Sequence, residues 1–170
     1  MHNYLKLLHF LSCAIFGRPL RLKVKIFLWQ MFRNHLPTSN NIVKRNDRLD
    51  ARCALCAVWK DANHVFFRYH FSRFLWSAVR EATELHWDLA SSAELILLLN
   101  SLRGVSKHVM WPYVEPLLWA IRQNDNKIMI EVALPHPADH FFQCNVYLQQ
   151  WMLLGKRSDV DSIVLAINKL

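Results

Sequence analysis

Residues 53–70 read CALCAVWKDANHVFFRYH and contain the densest run of metal-ligating side chains in the chain. Cys53 and Cys56 are separated by two residues, which lets two thiolates in a tight turn face one cation, and His64 follows after seven more. Two thiolates and an imidazole are three donors of a tetrahedral zinc site, one short of a closed shell. Tyr69 and His70 come next, and one of them would have to complete it.

No other constellation points to catalysis. The chain has no adjacent Asp pair of the kind that holds two metals, no glycine-rich phosphate loop and no nucleophile elbow, so a non-enzymatic role is expected. His136, His140 and Cys144 are four apart, but Pro137 puts His136 at or before a helix start. Solvent-facing histidines and a core cysteine are the expectation there.

The charge is uneven. Of the formal net charge of +8, residues 1–50 carry +7, from nine Lys or Arg against Asp47 and Asp50. A basic first third beside a metal motif suits contact with RNA or DNA, because each cation that pairs with a phosphate releases a condensed counterion. The expected contact residues are Arg21, Lys23, Lys25, Arg33, Lys44 and Arg45, and with no base-reading motif the contact should be non-specific. A solvated, lysine-rich helix face is the alternative source of the same charge. Most of the seven tryptophans stand at helical spacing among Leu and Phe and are expected in the core, whereas Trp59 sits in a polar loop.

The elements that must position these groups are expected to be helices. At 170 residues and 53% apolar composition the chain can build a real core, and three glycines are too few for a turn-rich all-β fold. The fold class expected is mainly α, an irregular multi-helix domain with the Cys/His loop inserted between helices. Cys13 and Cys144 are isolated and the other two cysteines are spaced for metal, so no disulfide framework is expected and an intracellular site, nucleus or cytoplasm, fits. No apolar run reaches the length of a membrane span, and the opening MHNYLKLLHFLSCAIFG is read as a core helix.

Val24, Phe27, Leu28, Met31 and His35 predict a first helix that Pro37 ends, and Thr38 or Ser39 would cap a short one through Ile42 and Val43. Ser72 is the expected N-cap of a helix with Phe74, Leu75, Ala78, Val79 and Ala82 as its inner stripe. Ser91 to Glu94 is a capping box opening LILLLNSL, which Gly104 stops. A helix entered through Pro112 or Pro116 is expected next. Pro137 would open one running to Gly155, and Ser158 would cap the last. Residues 128–135, IMIEVALP, read equally as helix or as extended chain.

The stretch LKVKIFLWQMFRNHLPTSNNIVKRN, then CALC, then HVFFRYHFSRFLW, resembles the zinc-binding domain that follows the reverse transcriptase in plant LINE-type, non-LTR retrotransposons. The pattern Lys-Val-Lys-x-Phe-x-Trp is matched by Lys23 to Trp29, Leu-Pro-Thr by Leu36 to Thr38, and the closing Leu-Trp by Leu75 and Trp76. The resemblance implies a zinc-binding-like domain over 17–86 and a helical extension over 87–170, separate from the polymerase. It also implies Cys53, Cys56 and His64 as ligands. The family's His-x-Phe-Phe-x-Cys ends here in Tyr69, and a neutral phenol with a pKa near 10 is a poor zinc ligand beside thiolates. His70 is therefore the expected fourth ligand, reached by slight unwinding of the next helix. The alternative is a helical relic or protein-interaction domain with a degenerate metal site and no nucleic-acid binding.

Overall fold

The computed structural model describes residues 21–38, 41, 52–53, 55–84, 87–102, 105–131 and 136–152. The protein is mainly helical there. Five α-helices, α1 Leu22–Phe32, α2 His70–Thr83, α3 Ser92–Ser101, α4 Val105–Glu131 and α5 Pro137–Met152, are joined by a π-helical turn at His64–Arg68 just before α2. Among the described residues there is no strand, only a single antiparallel bridge between Arg52 and Trp59 that closes the Cys loop. No helix among them is long and apolar enough to cross a membrane.

Helix α1 buries Val24, Phe27, Leu28 and Met31, as their spacing predicts, but it ends at Phe32, short of Pro37. Asn34 takes a left-handed conformation (φ 56), which its short polar side chain tolerates better than a branched one. The His35 amide then donates to the Gln30 carbonyl and the Asn34 amide to that of Met31, a Schellman-type stop. Asn41 Nδ2 fixes this turn by donating to the carbonyls of Asn34 at 3.0 Å and Leu36 at 2.7 Å. His35 consequently leaves the helix and is exposed.

Helix α2 starts two residues before Ser72, so Ser72 is not its cap. Its hydroxyl is buried and donates to the Val65 carbonyl at 2.5 Å. Leu75, Trp76 and Val79 face the core, but Phe74 is half-exposed and lies off the expected stripe. Ser91 caps α3, accepting the Glu94 amide at 3.2 Å, while the Glu94 carboxylate reaches back to the Ala90 amide. Helix α4 begins at Val105, so Pro112 and Pro116 lie inside it and neither opens it. Residues 128–131 are helical. Pro137 does open α5, and Cys144 is buried. The segments 1–20 and 153–170, with the helices expected through Ile42 and from Ser158, lie outside the described residues.

One apolar core joins α1, the π-helical turn, α2, α3, α4 and Cys144 of α5. Phe27 of α1 is its hinge point. The Phe27 ring lies 5.8 Å from Phe66 of the turn and 5.3 Å, edge-on, from Trp119 of α4. Tilted and edge-on rings at these separations match the quadrupoles of the two faces. Within this core α4 packs on the turn, on α2 and on α1.

Candidate metal centre

The Cys loop is a tight knuckle. The Ala57 amide donates to the Cys53 carbonyl and the Cys53 amide to that of Val58, both at 2.8 Å, and Ala57 adopts the left-handed φ of 56 that reverses the chain. Turning the chain there brings both thiols to one side.

His64 reaches the same point from the other strand of the loop. Asp61 caps the helical stretch that carries it, its carboxylate accepting the His64 amide at 2.6 Å and pairing with Arg68 at 3.1 Å. The widened turn that follows is closed by the Tyr69 amide donating to the His64 carbonyl at 2.8 Å, an i to i−5 bond. Such turns are rare and frequent at functional sites. The carbonyls at its end are satisfied from α2. Ser72 Oγ donates to Val65 and Trp76 Nε1 donates to Phe66 at 2.7 Å.

Together these elements bring Cys53, Cys56 and His64 into one cluster whose ligand atoms all lie within 4.8 Å of one another. Cys56 Sγ is 3.4 Å from His64 Nε2. Zinc bonds of ordinary length place sulfur and nitrogen at about 3.6 Å along a tetrahedral edge, so this pair is already spaced for the ion. Burial lowers the His64 pKa, which keeps the imidazole neutral as a ligand must be, and burial raises that of Cys56 while the nearby Lys60 acts the other way. The donor set of two sulfurs and one nitrogen suits zinc over hard cations such as magnesium or calcium.

His70 is not brought to this cluster. It stands exposed at the start of α2 on a second cavity of about 380 Å³, with Arg73, Ser77, Arg80 and Trp87. Tyr69, in contrast, lines the cavity shared by Cys53 and His64, its ring 5.9 Å from that of His64. Lys60 and, from α4, Asn124 and Asp125 also line that cavity. Lys60 is buried and its ammonium lies 2.6 Å from Asp125. Asp61 could have been found from sequence as an N-cap three residues before His64. Nothing in the sequence links Lys60 to Asp125.

Of the basic residues, Arg21 and Arg33 are exposed, the latter with its guanidinium 4.9 Å from the Trp29 ring centre. Lys23 is exposed with its ammonium 5.5 Å from the Trp119 ring, and Lys25 is half-buried. All four belong to α1 or its two flanking positions. Lys44 and Arg45 lie outside the described residues. Trp59 is exposed on the Cys loop, while Trp76 and Trp119 are buried in the core.

Fold and site define a helical protein with a Cys/Cys/His group of zinc type. Residues 7–76 match a family described as zinc-binding in reverse transcriptase, a span that contains all three clustered ligands and ends within α2. That domain type is a zinc-binding one and not a catalytic one. No curated protein and no solved structure matches the chain.

Proposed function

We infer that the protein is a non-catalytic zinc module of the kind associated with reverse transcriptases, descended from a plant LINE-type element, that contacts RNA or DNA without base specificity. The observation that carries this reading is the convergence of Cys53, Cys56 and His64 inside the segment matched to that family. The ion supplies no reaction here. Bound by these three residues it would pin the Cys loop to the π-helical turn. Phosphate contact falls to Arg21, Lys23, Lys25 and Arg33 around α1, joined by Lys44 and Arg45 ahead of the Cys loop.

A salt titration of single-stranded RNA binding tests this. About four phosphate contacts give a slope of roughly −3 in log K against log salt. Replacing Arg21, Lys25, Lys44 and Arg45 with Gln should flatten it, and salt-independent binding would refute the reading. Tyr69, standing where the family has cysteine, favours the second reading, a helical relic or protein-contact domain. That reading gains if the chain binds neither zinc nor nucleic acid.

A further inference from the structure

Three corners of a tetrahedron are accounted for by Cys53, Cys56 and His64, and among the described residues no further Cys, His, Asp or Glu joins them. Tyr69 and His70, the two residues that follow the turn, lie on different cavities. Tyr69 lines the cavity of Cys53 and His64, and its phenol lies within electrostatic reach of both thiols. His70 lines the other cavity. The cause is local backbone. Tyr69 is extended (φ −65, ψ 136) between the π-helical turn and α2, so its side chain and the next diverge.

Resting on the zinc reading above, we propose that Tyr69 leaves the fourth position of the metal to a small exogenous donor, water at rest and a slim anion such as azide when one is supplied. A neutral phenol is a poor donor beside two thiolates. It is a good hydrogen-bonding neighbour for a coordinated water. The cavity at Tyr69 is about 20 Å³, room for one water-sized group. Three protein ligands with an exchangeable fourth is the arrangement by which zinc sites accept outside ligands, whereas structural sites are closed by four side chains. With Tyr69 beside it, the group of Cys53, Cys56 and His64 is therefore a ligand-accepting donor set.

Cobalt(II) replacing zinc in the full chain gives visible bands that report the donor set, and azide is the probe. Wild type and Tyr69→Phe should show a saturable shift of these bands with added azide, and so should His70→Ala. Tyr69→Cys, with four protein ligands, should show none. Cobalt bands in the wild type that ignore azide would overturn the proposal, and a response gained only in His70→Ala would assign the fourth position to His70. Failure of the wild type to bind cobalt at all would instead remove the zinc reading, and this proposal with it.

Discussion

Lys60 Nζ lies 2.6 Å from Asp125 Oδ1, with both side chains largely removed from solvent, and the pair ties the Cys loop to the C-terminal third of α4. Arg122 approaches the other Asp125 oxygen at 3.5 Å. The loop that carries Cys53 and Cys56 is thus anchored by a helix beyond the segment matched to the zinc-binding family.

Removing one partner of a buried pair leaves the other charge uncompensated. Asp125→Ala should therefore lower the unfolding free energy by about 3–5 kcal/mol, while the double change Lys60→Met with Asp125→Leu should recover most of that. Urea denaturation of the single and double variants reads it. Simple additivity of the two losses would show that the pair is not coupled.

Acid should weaken the metal-free protein through His64. Its pKa is held below the ordinary 6.5 by burial, so the unfolded chain binds the proton more readily. Stability is full above that value and falls as pH drops below it. Thermal unfolding in the presence of a chelator, followed from about pH 8 to about pH 5, should show this decline, and His64→Gln should flatten it. An unchanged acid slope in His64→Gln would place the sensitivity elsewhere.

Zinc affinity should rise with pH. The Cys56 thiol is pushed up by burial and must lose its proton to bind the ion. Each thiol still protonated makes the dissociation constant worse by about tenfold per unit of falling pH. Chelator competition at several pH values measures the slope, and a flat profile would contradict thiolate ligation.

The π-helical turn should link folding to metal binding. Trp76→Phe removes the indole N–H that donates to the Phe66 carbonyl and should cost about 1–3 kcal/mol. Because that turn carries His64, zinc should also bind more weakly. Calorimetry on the same samples checks both, and lost stability with unaltered zinc affinity would uncouple them.

The local parts of this design are legible in sequence. Ligand spacing, the Ser91 cap and the buried stripe of α1 each depend on residues a few positions apart, which is the range over which turn and helix periodicity act. Features set by tertiary contact are not. The end of α1 depends on Asn34 entering the left-handed region and on Asn41 reaching back, and it overrides the stop expected at Pro37. Pro112 and Pro116 mark helix entry in most sequences, yet here α4 continues through both. Phe74 fits a helical stripe by number, but the phase of α2 is set by Ser72 and Trp76 donating to the turn, and this rotates Phe74 outward. Tyr69 and His70 are adjacent letters, and only the extended backbone at Tyr69 separates them into two cavities.

Zinc content of the purified full chain, measured after loading and dialysis, tests the central claim most directly. The wild type should retain about one zinc per chain. Cys56→Ser and His64→Gln should lose it, and His70→Ala should keep it. A wild type that holds no zinc, or a Cys56→Ser variant that holds as much as the wild type, would contradict the assignment of Cys53, Cys56 and His64 as the metal centre.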